Sequence, residues 1–271
     1  MEKTIKWLYR HGRPLDVARY KYLFLDGSRE DVIDILESYQ NKDGGFGHGL
    51  EPDCVNPNSS PVQSMMAFEI IDELELSSTD PIVQNLIAYF MNYAPKENDF
   101  FFSTIPSNND YPHAPWWTYV EGRHIWGYNP TIAIAGFIYK HSLPNSYESN
   151  FAIKIIEKAI ADFIDKPTKE MHELRCYLDM INAVANYNHF ARWDEFLPLF
   201  LSTISSVIEK DESKWFTEYC VRPLQFFDNP ASFGFDEHRD LVLKEINMIM
   251  KMRNEEGYWD ITWKWDSYPE D

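Results

Sequence analysis

Apolar residues recur at the spacing of a helix face over most of this chain. Trp193, Phe196, Leu197, Phe200, Leu201, Ile204, Val207 and Ile208 form one unbroken stripe at i, i+3, i+4, i+7. Ile155, Ile156, Ala159, Ile160, Phe163 and Ile164 repeat it, as do Ile82, Val83, Leu86, Ile87 and Phe90. Side chains placed in this way share one face of a helix, which must be buried against another element. Alternation with a period of two is scarce, so the pattern predicts an all-α protein with almost no sheet.

The pattern and its punctuation predict helices over 14–25, 29–41, 61–76, 81–93, 130–141, 147–165, 168–189, 193–210, 215–228 and 237–254. Ser60-Pro61, Asp80-Pro81 and Asn129-Pro130 each set a capping side chain before a proline suited to a first turn. Ser28 with Asp31 has the form of a capping box, and Asp236 opens the last long helix. Connections at 26–28, 77–80, 142–146 and 190–192 are short, as in helical hairpins. The long ones, at 42–60, 94–129 and 211–214, and the tail after 254 all follow even-numbered helices. In an antiparallel array they leave from one end. The expected architecture is a single domain over 1–271, an α/α toroid of five or six helical hairpins with its long loops on one rim.

That rim is aromatic where the helices are aliphatic. The 94–129 segment carries Phe100, Phe101, Phe102, Tyr111, Trp116, Trp117, Tyr119, Trp126 and Tyr128, too apolar a set to stay solvated. Six of the nine tryptophans (Trp116, Trp117, Trp126, Trp259, Trp263 and Trp265) fall on predicted loops, which marks a ligand-facing surface. A net charge of −18 argues against nucleic acid or an anionic membrane surface as partner. No apolar run of about 20 residues predicts membrane insertion. Three scattered cysteines form no CxxC pair, and the N-terminus lacks an apolar signal core, so a reducing, cytoplasmic setting is expected.

The glycine cluster in "SYQNKDGGFGHGLEPD" (Ser38–Asp53) is no phosphate cradle. It lacks Gly-Lys-Ser/Thr, follows a helix rather than a strand, and runs into Glu51 and Asp53. Gly44 and Gly45 suit a tight helix exit. A weaker copy, "NEEGYW" (Asn254–Trp259), matches "NKDGGF" (Asn41–Phe46) near the other end, as stacked repeats would.

Gln40 followed by "NKDGGFG" resembles the Q-x-x-D-G-G-F/W repeat of squalene and oxidosqualene cyclases and protein prenyltransferases, and "RPLD" (Arg13–Asp16) and "EPDCVNPNSSP" (Glu51–Pro61) resemble a bacterial branch of that group. The resemblance implies an α/α toroid in which Gln40 to Gly47 staples one repeat to the next, and a terpenoid-like substrate. The chemistry of the relatives does not follow. D-x-D-D and D-D-x-x-D are absent, and Asp53-Cys54 are adjacent rather than spaced as a prenyltransferase zinc ligand pair.

Two constellations carry candidate chemistry. In "HGLEPDCVNPN", Glu51 and Asp53 are acid/base candidates, with His48 and Asn56 as ligand-binding groups; alternatively Asp53 and Asn56 brace the loop by Asx-type bonds. In "YPHAPWWTYVEGRHIWGYNP", Glu121 and His124 are proton-transfer candidates. His113, Trp116, Trp117, Tyr119, Arg123 and Trp126 would bind ligand, or the loop packs on its own aromatics with Glu121 and Arg123 as a surface pair. In the tail, Trp259, Trp263 and Trp265 would close the ring, leaving Asp260 and Asp266 near the rim. No cofactor or metal is implied. His48, His113 and His124 with Glu51 or Asp53 form the one metal alternative, and no H-E-x-x-H spacing fixes it.

The two long loops hold Asp43, Glu51, Asp53, Glu97, Asp99, Asp110 and Glu121 against Lys42, Lys96 and Arg123, which suits a neutral, polyhydroxylated or cationic ligand better than a diphosphate. The expected function is binding and acid/base transformation of a small neutral molecule. A carbohydrate-active hydrolase or lyase and a non-catalytic binding protein are the alternatives, and oligomeric state is left open.

Overall fold

The structure is a computed structural model that describes residues 1–185 and 190–260. It is mostly helical, and the described chain forms two compact units. Met1–Tyr93, Pro106–Tyr119 and the described residues from Met248 make the first; the described residues of Ala94–Ile105 and Val120–Asn247 make the second.

The first unit holds α1 (Glu2–His11), α2 (Pro14–Phe24), α3 (Arg29–Glu37), α4 (Pro61–Met65), α5 (Ala67–Glu73) and α6 (Pro81–Asn92). Arg19 of α2 bridges Glu69 and Glu73 of α5, while Val32 and Leu36 of α3 and Val83, Leu86 and Phe90 of α6 are buried. Helix α1 was not expected from the sequence, and no residue of it is fully buried. Ser28 and Ser60 cap α3 and α4 by accepting from Asp31 N and Gln63 N. Asp80 instead accepts from Ser77 N at 2.7 Å, bracing the turn ahead of α6.

The helix expected over 29–41 ends at Glu37 and tightens through i→i+3 bonds at Ser38, Tyr39 and Gln40. The glycine turn follows. Asn41 N–H donates to Gly45 O at 2.8 Å and Gly44 N–H to Asn41 O at 2.9 Å, with Gly44 at φ +88°. A Cβ on Gly44 would lie 2.0 Å from Asn85 O of α6, so only glycine lets the turn seat there. Gln40 Nε2 then donates to both Gly44 O and Ile82 O, tying the turn to the start of α6. The echo repeats this geometry: Asn254 N–H donates to Tyr258 O, Gly257 N–H to Asn254 O, and the turn packs on Lys3 and Thr4 at the start of α1. Tyr258 stacks on Trp7, and Lys3 Nζ donates to Glu255 O.

In the second unit, α7 (Thr131–His141) is the central helix, with every residue from Thr131 to Ile138 buried. It packs against α8 (Tyr147–Asp165) and α9 (Met171–Val184), and α10 (Trp193–Val207) packs on α8. Phe163, Tyr177, Phe196 and Phe200 form their shared aromatic core. A two-residue hairpin, β1 (Lys96–Glu97) and β2 (Phe100–Phe101), turns through Asn98 and Asp99, both at positive φ as a tight hairpin turn requires.

Two expectations fail here. Residues 215–228 form no α-helix but turns and one short 3₁₀ segment at Pro223–Gln225, following another at Glu212–Lys214. Pro223 cannot continue a helix, and Trp215, Phe226 and Phe227 are buried through those turns instead. Asn129 does not cap a helix either: α7 starts at Thr131, and the Asn129 side chain turns inward. The chain then enters α11 (Phe235–Met252). The last part of the helix expected over 168–189 and the tail candidates Trp263, Trp265 and Asp266 lie outside the described residues.

Candidate functional site

Within the first unit, the polar residues after the glycine turn are engaged in holding the loop. Asn56 is fully buried; its Nδ2 donates to Ser107 Oγ and Asn108 Oδ1, and its Oδ1 accepts from Asn58 N and Nδ2. That satisfies its whole side-chain capacity, so the Asx-type reading holds for Asn56. His113 Nδ1 lies 2.7 Å from Tyr111 O, which fixes it as the donor, and Nε2 lies 3.1 Å from Thr118 Oγ1. His48 Nε2 lies 3.0 Å from Asn41 Oδ1 on an exposed side chain. Tyr119 exchanges two bonds with the Asn109 side chain, and Trp116 is exposed. Trp117 O accepts from Asn108 Nδ2.

Glu51 is half-buried and takes the Asp53 N–H at 3.2 Å. Burial pushes its carboxyl up; the Asp53 N–H, and the Arg13 guanidinium beyond it, oppose that shift. Arg13 itself forks onto Asp16 and donates to Gly49 O and Leu50 O, which makes "RPLD" a clamp on this loop. Asp53 O accepts from Ala114 N and so joins the two loop segments.

The second unit holds Glu121, Arg123, His124 and Trp126. Glu121 and Arg123 are exposed on a turn closed by Arg123 N–H to Val120 O, and no ion pair joins them among the described residues. His124 is buried against Phe102 at 4.2 Å between ring centroids, 3.9 Å from Glu97 Oε2. Among the described residues no three His, Cys, Asp or Glu side chains come together as a metal would need.

Trp126 has different surroundings. It lines a cleft of about 390 Å³ with Gly127, Asn129, Glu170, His172 and Glu173, all from the second unit. A second hollow, between Asp99, Phe100, Tyr128, Lys154 and Lys158, measures only about 20 Å³, room for about one water, and its lysines are paired with Asp99 and Asp162.

The larger cleft is built from the start of α9. Glu170 Oε2 accepts from Glu173 N at 2.7 Å, which caps the helix, and Glu173 Oε1 reaches back to accept from Tyr128 N at 2.7 Å. Gly127 permits that reach, since a Cβ there would stand 2.4 Å from Glu173 Oε1. Each carboxylate thus commits one oxygen to a backbone N–H and is oriented by it. Trp126 Nε1 donates to Arg123 O, so the indole offers the cleft its ring surface rather than its donor.

Asn129 is nine-tenths buried and lines the same cleft. The Cys176 thiol donates to its Oδ1 at 3.5 Å. Burial pushes the Cys176 thiol well up, so it keeps its proton and remains the donor, which turns the amide NH₂ the other way. That NH₂ makes no hydrogen bond to the described residues. The NH₂ stays accessible where Asn129 lines the cleft, so the fold leaves this donor free for whatever occupies it.

Of the predicted site residues, only Trp126 belongs to this cleft. Asn129, Glu170, His172 and Glu173 were missed, since 168–173 reads as the start of a helix and Asn129 as a cap. The Glu-x-x-Glu spacing at 170–173, with the helix start moved to 171, is the one local signal for them.

Compared with known proteins, the chain matches no family model, no curated protein and no solved structure.

Proposed function

We propose that this protein binds a small, uncharged organic molecule in the cleft of Trp126, Asn129, Glu170, His172 and Glu173, and transforms it by acid/base chemistry. The observation that carries the reading is the Asn129 amide, unpartnered at its NH₂, beside two oriented carboxylates in a cleft of ligand size. No Lys or Arg lines the cleft among the described residues, so a diphosphate would meet only like charge. Glu170 and His172 are the proton-transfer candidates, because each borders the cleft with an ionisable group.

A ligand-observed NMR screen of neutral, cationic and diphosphate-bearing small molecules tests this, run on the wild type and Trp126→Ala. Uncharged hits that vanish in Trp126→Ala are expected. Hits confined to diphosphates, or hits indifferent to Trp126, overturn it.

The closure of the helical pairs into an α/α toroid, as in the cyclases and prenyltransferases, is part of the same proposal. Its support is the pair of turns at Asn41–Phe46 and Asn254–Trp259, which repeat the same hydrogen bonds and each dock at a helix start. An experimental structure with the pairs in an open array overturns it. A terpenoid-like ligand follows from the resemblance alone, and fold does not carry function with it.

A further inference from the structure

The donors and acceptors of the cleft narrow the ligand further, on the reading that the cleft is a binding site. Glu170 and Glu173 each keep one carboxylate oxygen beyond the backbone N–H it accepts, and an ionised carboxylate only accepts. Asn129 offers the opposite, an NH₂ group that only donates. Trp126 adds apolar ring surface. A ligand that satisfies all of these must donate at two points, accept at a third, and carry an apolar face.

An ammonium or guanidinium ion donates but cannot accept, so on filling the cleft it would cover the Asn129 NH₂ without pairing it. A carboxylate or phosphate accepts from Asn129 but stands against two like charges. A hydrocarbon leaves the polar groups dry and unsatisfied. Hydroxyl groups both donate and accept, and a saturated ring bearing them has a C–H face for an aromatic surface.

From these complementary groups we infer that the cleft takes a cyclic polyol of the monosaccharide class, with two hydroxyls donating to Glu170 and Glu173, a third oxygen accepting from Asn129, and a C–H face against Trp126. One pyranose ring suits a cleft of about 390 Å³. Glu170 and Glu173 stand three residues apart on one helix start, so they hold hydroxyls on the same edge of the ring.

The test titrates methyl β-D-glucopyranoside, myo-inositol, cyclohexanol, choline and glycine into the full chain by saturation-transfer NMR and calorimetry. The same titrations are run on Trp126→Ala and Asn129→Asp. Asn129→Asp keeps the oxygen that accepts from Cys176 but exchanges the amide donor for a third carboxylate. Saturable binding of a cyclic polyol is expected, weakened about tenfold or more in both variants, the scale of one good hydrogen bond or apolar contact. In Asn129→Asp, choline should bind better than it does in the wild type. If choline, glycine or cyclohexanol binds in a Trp126-dependent way and neither polyol does, the polyol class is overturned while the cleft remains a site. If nothing binds in a Trp126-dependent way, both fall. Undiminished polyol binding by Asn129→Asp also overturns the inference, and if that variant does not fold, Trp126→Ala decides between the outcomes.

Discussion

The loop after the glycine turn and the cleft at the start of α9 look alike in composition and differ in what they leave over. Both are rich in amides, acids and histidine. In the first, Asn56 makes four side-chain hydrogen bonds and His113 is held at both ring nitrogens. In the second, Asn129 has an idle NH₂, and two carboxylates each use one oxygen. A dense run of polar residues is therefore a poor marker of a site. Unused hydrogen-bonding capacity in a concave place is a better one, because a donor or acceptor that the fold leaves free is available to a ligand.

Substitutions can break this contrast, beginning with the turn that organises the first loop. Gly44→Ala forces a Cβ to within 2.0 Å of Asn85 O and puts an L side chain at φ +88°. Chemical denaturation should show a loss of at least about 4 kcal/mol, among the largest single-residue effects. A loss under 1 kcal/mol would mean that the turn does not staple α6.

Asn56→Leu comes next. It strips four hydrogen bonds from a fully buried position and leaves Asn108 and Asn58 short of partners, for a loss of about 3 kcal/mol by the same measurement. Ligand affinity of the folded fraction should not change. An Asn56 variant that folds as well as wild type yet loses binding would move the site back to the first loop.

Glu51→Gln sharpens the comparison through pH. Burial raises the Glu51 carboxyl, so the folded chain holds that proton where the unfolded chain has released it. The stability contributed by the protonated form is complete below the ordinary carboxylate range, about 4.3, and is lost as pH rises through the raised value. Glutamine keeps an oxygen for the Asp53 N–H without ionising. Relative to wild type, the melting temperature of Glu51→Gln should rise from pH 4 to pH 7, by less than either effect above. A difference that stays flat with pH would show that Glu51 ionises without cost.

The smallest effect is expected at Glu121. It is exposed and forms no ion pair among the described residues, so Glu121→Gln should change stability by less than about 0.5 kcal/mol and leave ligand binding intact. A loss of binding there would restore the loop acid as a candidate.

Much of the helical layout was present in the spacing of particular residues. Ile155 to Phe163 and Trp193 to Ile204 are buried as their 3.6-residue period demands, and Ser28 and Ser60 cap as their positions imply. Local chemistry is enough for such features, because a helix face and a cap are each decided within a few residues. The stretch 215–228 failed where an apolar run around Pro223 served turns rather than a helix.

The candidate site was far less visible, and the reason is distance along the chain. Whether Asn56 or Asn129 has capacity left depends on Asn108 and Cys176, partners 52 and 47 residues away. Glu173 is drawn to Tyr128 across 45 residues, through space that only Gly127 leaves open. The sequence by itself determined a helical chain, the glycine turn and its echo, and a strongly acidic composition. Which polar groups are consumed by the fold and which are left facing a cleft was decided by tertiary packing, because hydrogen-bond partners are assigned in space and not along the chain.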